Sequence, residues 1–171
     1  SSLTTATTAS HNTAVGADAL GLTTTGANNT GIGSAALAYN TTGAANVAVG
    51  KASLKANTTG YSNTAIGYVS LYSNTTGANN LSSGQGALYS NTTGASNTAL
   101  GRDALLTNTT ASYNVAVGRD ALKANTTASN NTAVGYGAGA SNLTGADNTY
   151  VGFGSGYSGT GYYNTAVGKY S

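Results

Sequence analysis

Residues 46–62 read NVAVGKASLKANTTGYS, and residues 63–79 read NTAIGYVSLYSNTTGAN. Laid one above the other, they keep the same Asn, Ala, Gly, Ser and Leu and the same Asn-Thr-Thr-Gly. Aliphatic replaces aliphatic at the fourth place, and the larger changes gather at the sixth, tenth and sixteenth. Working outward, Asn recurs at 12, 29, 46, 63, 80, 97, 114, 131 and 148, each 17 residues after the last, and Asn164 follows after 16. The unit is N-T-A-V-G-x-x-A-L-x-x-N-T-T-G-A-x, with positions numbered 1 to 17 from that Asn. Gly holds position 5 in all ten units, from Gly16 to Gly168. Position 9 is Leu in the first seven units, then Gly139 and Gly156. A disordered low-complexity tract has no reason to hold such a register, whereas a repeat architecture requires it.

Composition points the same way. Charged residues are 6% of the chain, against roughly a quarter in ordinary soluble domains. There is one Phe and no Trp or Met, so few large side chains are available to fill a thick core. Such a chain is disordered, fibrous or a thin solenoid. The net charge of +2 is too weak and scattered for a nucleic-acid footprint, which needs clustered Lys and Arg against phosphates. Without Cys there is neither a disulfide framework nor a thiolate metal site. No secretory leader and no run long and apolar enough for a membrane span is visible. The chain reads as a processed protein or a piece of a longer one, with a lead-in at 1–11 and the repeat solenoid over 12–171.

Within a unit, T-A-V-G is short and β-prone, with positions 2 and 4 on one face. Asn at position 1 and Gly at position 5 bracket it, and both tolerate positive φ. N-T-T-G is a second turn cluster. No stretch carries a helical apolar stripe, and Pro is absent, which suits a backbone whose N–H groups are needed for a ladder. The reading is an all-β parallel solenoid, one unit per coil, with two or three short strands in each. Coils stacked about 4.8 Å apart give a rod roughly 45 Å long. Position 4 is aliphatic in nine units: Val15, Ile32, Val49, Ile66, Leu100, Val117, Val134, Val151 and Val167, with Ser83 the exception. These residues are the expected structural core. So thin a core leaves a single column under-packed, which predicts a homo-oligomer, either a trimer or a filament.

The motif Asn-Thr-Ala-Val-Gly at 12–16, 131–135 and 164–168, with its variant Asn46-Val47-Ala48-Val49-Gly50, resembles the N-S-V-A-I-G motif of YadA-type heads of trimeric autotransporter adhesins. The full unit is similar to tandem repeats of bacterial surface and phage tail-fibre-like proteins. The resemblance covers residues 12–171. It implies a left-handed parallel β-roll, a trimer with the N-T-A-V-G strands inward, and an adhesive or spacer role outside the cell, on a cell surface, filament or virion fibre. The adhesin heads use shorter coils, and the extra residues here fall in N-T-T-G, which places that turn on the outer surface. No binding residue carries over, because the motif is structural.

Chemistry-bearing residues are few. His11, the only histidine, has no Cys or acidic cluster near it in sequence and reads as solvated. Asp103 and Asp120 share position 7 on successive coils, as a glycosidase pair would need. Each follows an Arg (Arg102, Arg119), so alternating charge on a solvent face is the simpler reading. A calcium solenoid would carry Asp in every repeat, and this one does not. The glycine pair Gly31 and Gly33, and the Gly-rich stretch at 152–161, precede no helix and read as turns rather than phosphate cradles. Lys and Arg at position 6 (Lys51, Arg102, Arg119, Lys169) and Lys at position 10 (Lys55, Lys123) mark outward-facing places. Tyr72, Tyr89 and Tyr157 share position 10, and more Tyr gathers near the end, either packing an interface or offering a sugar-binding surface.

Asn40, Asn57, Asn74, Asn91, Asn108, Asn125 and Asn142 at position 12 each open an N-x-T sequon, as do Asn28 and Asn130, while Asn80 opens N-x-S. The position-12 residues are either glycosylation sites or an Asn ladder bonding coil to coil. Thr pairs at positions 13 and 14 lack the T-x-T spacing of a flat ice-binding face, so an ice-binding solenoid is a distant alternative. An acyltransferase of the left-handed hexapeptide type repeats in sixes and is more distant still. The expectation is a structural or adhesive fibre segment with no catalytic site, no cofactor and no metal. The alternative is an adhesin head whose outer loops bind glycan or a host surface.

Overall fold

The structure is a computed structural model that describes residues 8–156 and 161–171. Ten three-residue strands each begin one place after the repeat Asn. They are β1 (Thr13–Val15), β2 (Thr30–Ile32), β3 (Val47–Val49), β4 (Thr64–Ile66), β5 (Leu81–Ser83), β6 (Thr98–Leu100), β7 (Val115–Val117), β8 (Thr132–Val134), β9 (Thr149–Val151) and β10 (Thr165–Val167). They form one parallel sheet in chain order. Like positions pair with like: Val47 lies beside Thr64, Ala48 beside Ala65 and Val49 beside Ile66. The chain is an all-β parallel solenoid with one repeat per coil, and no described residue is helical.

The expectation of two or three strands per coil is corrected to one. The return limb, positions 5 to 12, is a run of overlapping turns. Positions 7 and 9 are left-handed: Asp18 has φ 58° and Leu20 52°, and Leu37 to Leu122 at position 9 stay within 48–53°. Turn bonds alternate with ladder bonds along this limb. In the second coil, the Ala36 N–H donates back to the Gly33 carbonyl (3.2 Å) and Asn40 to Leu37 (3.1 Å). Between them, Leu37 donates to Ser53 of the next coil (3.1 Å) and Tyr39 to Lys55 (3.0 Å). A left-handed leucine costs about 1–2 kcal/mol, offset by that ladder bond and by complete burial. The left-handed twist also lets consecutive residues both point inward, so Ala36 and Leu37 are each 0% exposed. A pleated strand could not do this.

The interior is filled by Leu at position 9 and by small residues at positions 3 and 8. Leu20, Leu54, Leu71, Leu88, Leu105 and Leu122 belong to one continuous core with Ala48, Ala65, Ala99, Ala116 and Ala133. The expected core at position 4 is therefore corrected. Val15, Ile32, Ile66, Val134 and Val167 are exposed, and Val49, Leu100, Val117 and Val151 are only half-buried. The alternation itself holds, but its parity is reversed. A Cβ added to Gly31 at position 3 would already lie 3.3 Å from Leu20 Cγ. Alanine is about the largest side chain the strand can direct inward against leucine, so the β-branched residues face outward.

Position 5 needs glycine for two reasons. Its φ runs from 121° to 136°, and a Cβ on Gly33 would lie 2.6 Å from the carbonyl oxygen of Gly50 in the next coil. The other positive-φ place flanking the strand is position 17, such as Asn28 (60°) and Ser62 (54°), and not the repeat Asn itself.

Candidate functional site

The second to seventh coils are each closed by two asparagines that converge on one carbonyl. In the second coil Asn29 Nδ2 and Asn40 Nδ2, from positions 1 and 12, both donate to the Gly43 carbonyl at 2.9 Å. Their acceptor oxygens join the coils. Asn29 Oδ1 accepts from the backbone N–H of Asn46 (3.0 Å) and from its Nδ2 (3.1 Å). Asn40 Oδ1 accepts from Asn57 Nδ2 at 2.8 Å. The position-12 ladder continues through Asn74, Asn91, Asn108 and Asn125. Asn142 instead closes its own turn on Gly145.

These contacts decide between the two readings of the sequons. Asn40, Asn57, Asn74, Asn91, Asn108, Asn125 and Asn142 are all 0% exposed. In Asn57 to Asn125 both amide hydrogens are committed, one to the previous coil's Asn and one to the turn carbonyl. A glycan on that nitrogen would remove a donor and has no room, so the expected glycosylation sites are corrected to a structural ladder. Placing the whole second turn on the outer surface is corrected with them: positions 12 and 15 are inside, and Thr at position 14 is exposed. Asn80 is buried too, whereas Asn28 and Asn130 remain on the surface.

The charged residues sit on the turn face. Arg102 Nε meets Asp103 at 3.1 Å, Arg119 Nε meets Asp120 at 3.1 Å, and Lys123 Nζ reaches Asp120 at 3.0 Å. Each carboxylate of the position-7 pair is thus held by neighbouring cations, the arrangement of a solvated charged face. His11 is exposed, and no group of three or more metal-ligating side chains is gathered among the described residues. Position 6 is outward, with Lys51, Arg102, Arg119 and Lys169 all exposed.

Aromatic side chains stack along the rod because the repeat places them one coil apart. Tyr72 and Tyr89 lie parallel with centroids 5.2 Å apart, and Tyr136 and Phe153 at 5.1 Å. Lys55 Nζ stands over both Tyr39 (5.4 Å) and Tyr72 (5.6 Å). In these two pairs one face of each ring is spent on its partner. Tyr157 lies outside the described residues.

One aromatic is internal. Tyr150 occupies position 3, where other coils carry Ala, Gly or Ser, and is 1% exposed. Its ring fills the space that leucine takes elsewhere. A Cβ on Gly139 would lie 2.6 Å from Tyr150 Cδ2, and one on Gly156 would strike the same ring. The two glycines at position 9 and the tyrosine are a single exchange. The coincidence of two missing leucines with one added ring was the sequence signal for it. Burial pushes the Tyr150 hydroxyl above its ordinary pKa.

The largest feature left is the outer face of the sheet. Positions 2 and 4 of all ten strands carry only Thr, Val, Ile, Leu and one Ser, with no charge at any of them. Side by side at about 4.8 Å, they form an uncharged stripe on the order of 400 Å², mixed Thr and aliphatic, in the size range of the largest patch on a soluble monomer, which is often functional. No helix among the described residues is long and apolar enough to cross a membrane. Comparison with family models, curated proteins and solved structures finds no match.

Proposed function

We propose that this chain is a segment of an extracellular fibre or stalk, built from parallel copies of itself packed on the uncharged sheet face. The observation that carries the reading is that stripe. It runs the length of the rod, and Val15 (56%), Ile66 (43%) and Val167 (67%) stand well exposed on it. A β-branched, charge-free sheet face in water invites association. The adhesin resemblance favours three copies around a common axis, with the strands inward. Function then resides in length, stiffness and outer surface rather than in a reacting group. Light scattering on the chain tests it: a mass near three times 16.6 kDa supports the trimer. A clean monomer with full β signal removes the assembly. It would also leave ranks of Thr (position 2) and Val or Ile (position 4) facing water, and thermal hysteresis would then test the ice-binding alternative.

A further inference from the structure

Each strand is flanked by two outward places. The leading flank, positions 16 and 17 of the repeat before it, ends in a left-handed residue, and the trailing flank is position 6, just past the glycine turn. Tyrosine stands on the leading flank at three rungs of the sheet. Tyr61 is 53% exposed, Tyr113 65% and Tyr163 82%, and no described ring or cation lies against any of them. The trailing flank of those same rungs carries Tyr68, Arg119 and Lys169.

Within one chain the two flanks cannot meet, because the strand holds them more than about 10 Å apart. Between copies they do. When parallel copies pack with their sheets inward around a common axis, every strand crosses in the same rotational sense. The trailing flank of one copy then comes beside the leading flank of the next. A closed ring has rotation without rise, so this contact joins rungs at one height. We propose that the flanks pair at each corner of the assembly, Tyr61 with the neighbour's Tyr68, Tyr113 with its Arg119 and Tyr163 with its Lys169. One pair is aromatic, and two set a cation on a ring. The cations also have partners in their own chain: Arg119 meets Asp120 and lies 5.6 Å over Tyr136, and Lys169 stands over Phe153 and Tyr170. A guanidinium has a second face, half of the Arg119 side chain is exposed, and Lys169 is exposed as well. The leading flank carries one carboxylate, Asp147, and no Lys or Arg, so no rung brings like charges together. Asp147 lies on the rung of Phe153 and accepts from Asn130 of its own chain at 3.1 Å. The inference rests on the assembly reading and adds its rim: the stripe drives association, and the corners seal it from water.

The chain has no Cys, so a thiol pair can be placed without interference. Tyr113→Cys with Arg119→Cys, treated with a short bismaleimide, should give a covalent trimer on a denaturing gel. Tyr113→Cys with Tyr68→Cys, three coils or about 14 Å out of step, should not. Separately, Tyr113→Arg sets a like charge against the neighbour's Arg119 and should raise the concentration for half-dissociation about tenfold or more. Exchanging both residues, Tyr113→Arg with Arg119→Tyr, should bring it back close to the parent's. Light scattering keeps the two readings apart. A trimer that fails to cross-link in the first pair, cross-links equally in the offset pair, or is not rescued by the exchange overturns the corner pairing and leaves the assembly standing. A monomeric parent overturns both.

Discussion

Replacing Asn91 with alanine should cut the rod in the middle. Asn91 Nδ2 donates to Asn74 Oδ1 (2.8 Å) and to the Gly94 carbonyl (3.0 Å), and Asn91 Oδ1 accepts from Asn108 Nδ2 (2.8 Å). Gly94 keeps a second donor in Asn80 Nδ2 at 2.9 Å. Two buried groups are then left short, the Asn74 oxygen and one hydrogen of Asn108. At about 1–3 kcal/mol for each orphaned group, the loss is roughly 2–6 kcal/mol. Coils contact only their neighbours, so the damage should stay local before it becomes global. Hydrogen exchange should rise first in the coils from Asn74 to Asn108, and urea melts followed by circular dichroism should give the total. Thr93→Ala, on an exposed place in the same coil, is the control and should stay within about 0.5 kcal/mol. Asn91→Asp keeps the shape but aims a carboxylate at two acceptors. The folded site resists ionisation, so its carboxyl titrates above the unfolded value of about 3.9. The variant should be most stable below that pH and lose stability as pH rises through the folded pKa. If Asn91→Ala melts within 1 kcal/mol of the parent, as an exposed substitution would, the ladder is not what holds the coils together.

Five further outcomes follow from the same geometry. Val117→Asp, on the half-buried outer face, should leave the β signal intact and reduce the light-scattering mass to that of one chain, whereas Ala116→Asp, aimed into the core, should unfold its coil; equal behaviour of the two would refute the facing assigned to β7. Gly118→Ala combines a φ of 131° with a Cβ that strikes the next coil's backbone, and should cost more than about 2 kcal/mol in a thermal melt. Tyr150→Ala should cost about 3–5 kcal/mol by opening a cavity, and adding Gly139→Leu with Gly156→Leu should restore much of it. The parent, with its Tyr150 hydroxyl raised by burial, should hold full stability below the unfolded value near 10 and lose it as pH climbs toward the folded one, read by absorbance titration. Peptide mapping of glycosylated material should find sugar at Asn28 or Asn130 and none at Asn91; occupancy at Asn91 in folded protein would refute the buried ladder.

Much of the architecture is written in the repeat itself. A period of 17 residues from Asn12 to Asn148 specifies coils, and glycine at every position 5 specifies a turn that no other residue can make. Asn-Thr-Thr-Gly marks the second turn, and the scarcity of charge and bulk leaves no other way to bury apolar surface than to stack. What the chain alone left open was direction. Alternation puts positions 2 and 4 together, but nothing local says whether that pair faces in or out. The return limb decides it, because leucine at position 9 occupies the interior and leaves the strand room for little more than alanine or serine. The same limb decides that Ala36 and Leu37, adjacent in sequence, are both buried, since left-handed turns replace the pleat that alternation presumes. Asparagine at position 12 reads equally well as a surface sequon or an internal ladder until the position-15 carbonyl is seen between it and the repeat Asn. Local propensity and spacing are properties of one coil. Volume, facing and hydrogen-bond satisfaction are properties of coils in contact, and they come into being only when the rod closes.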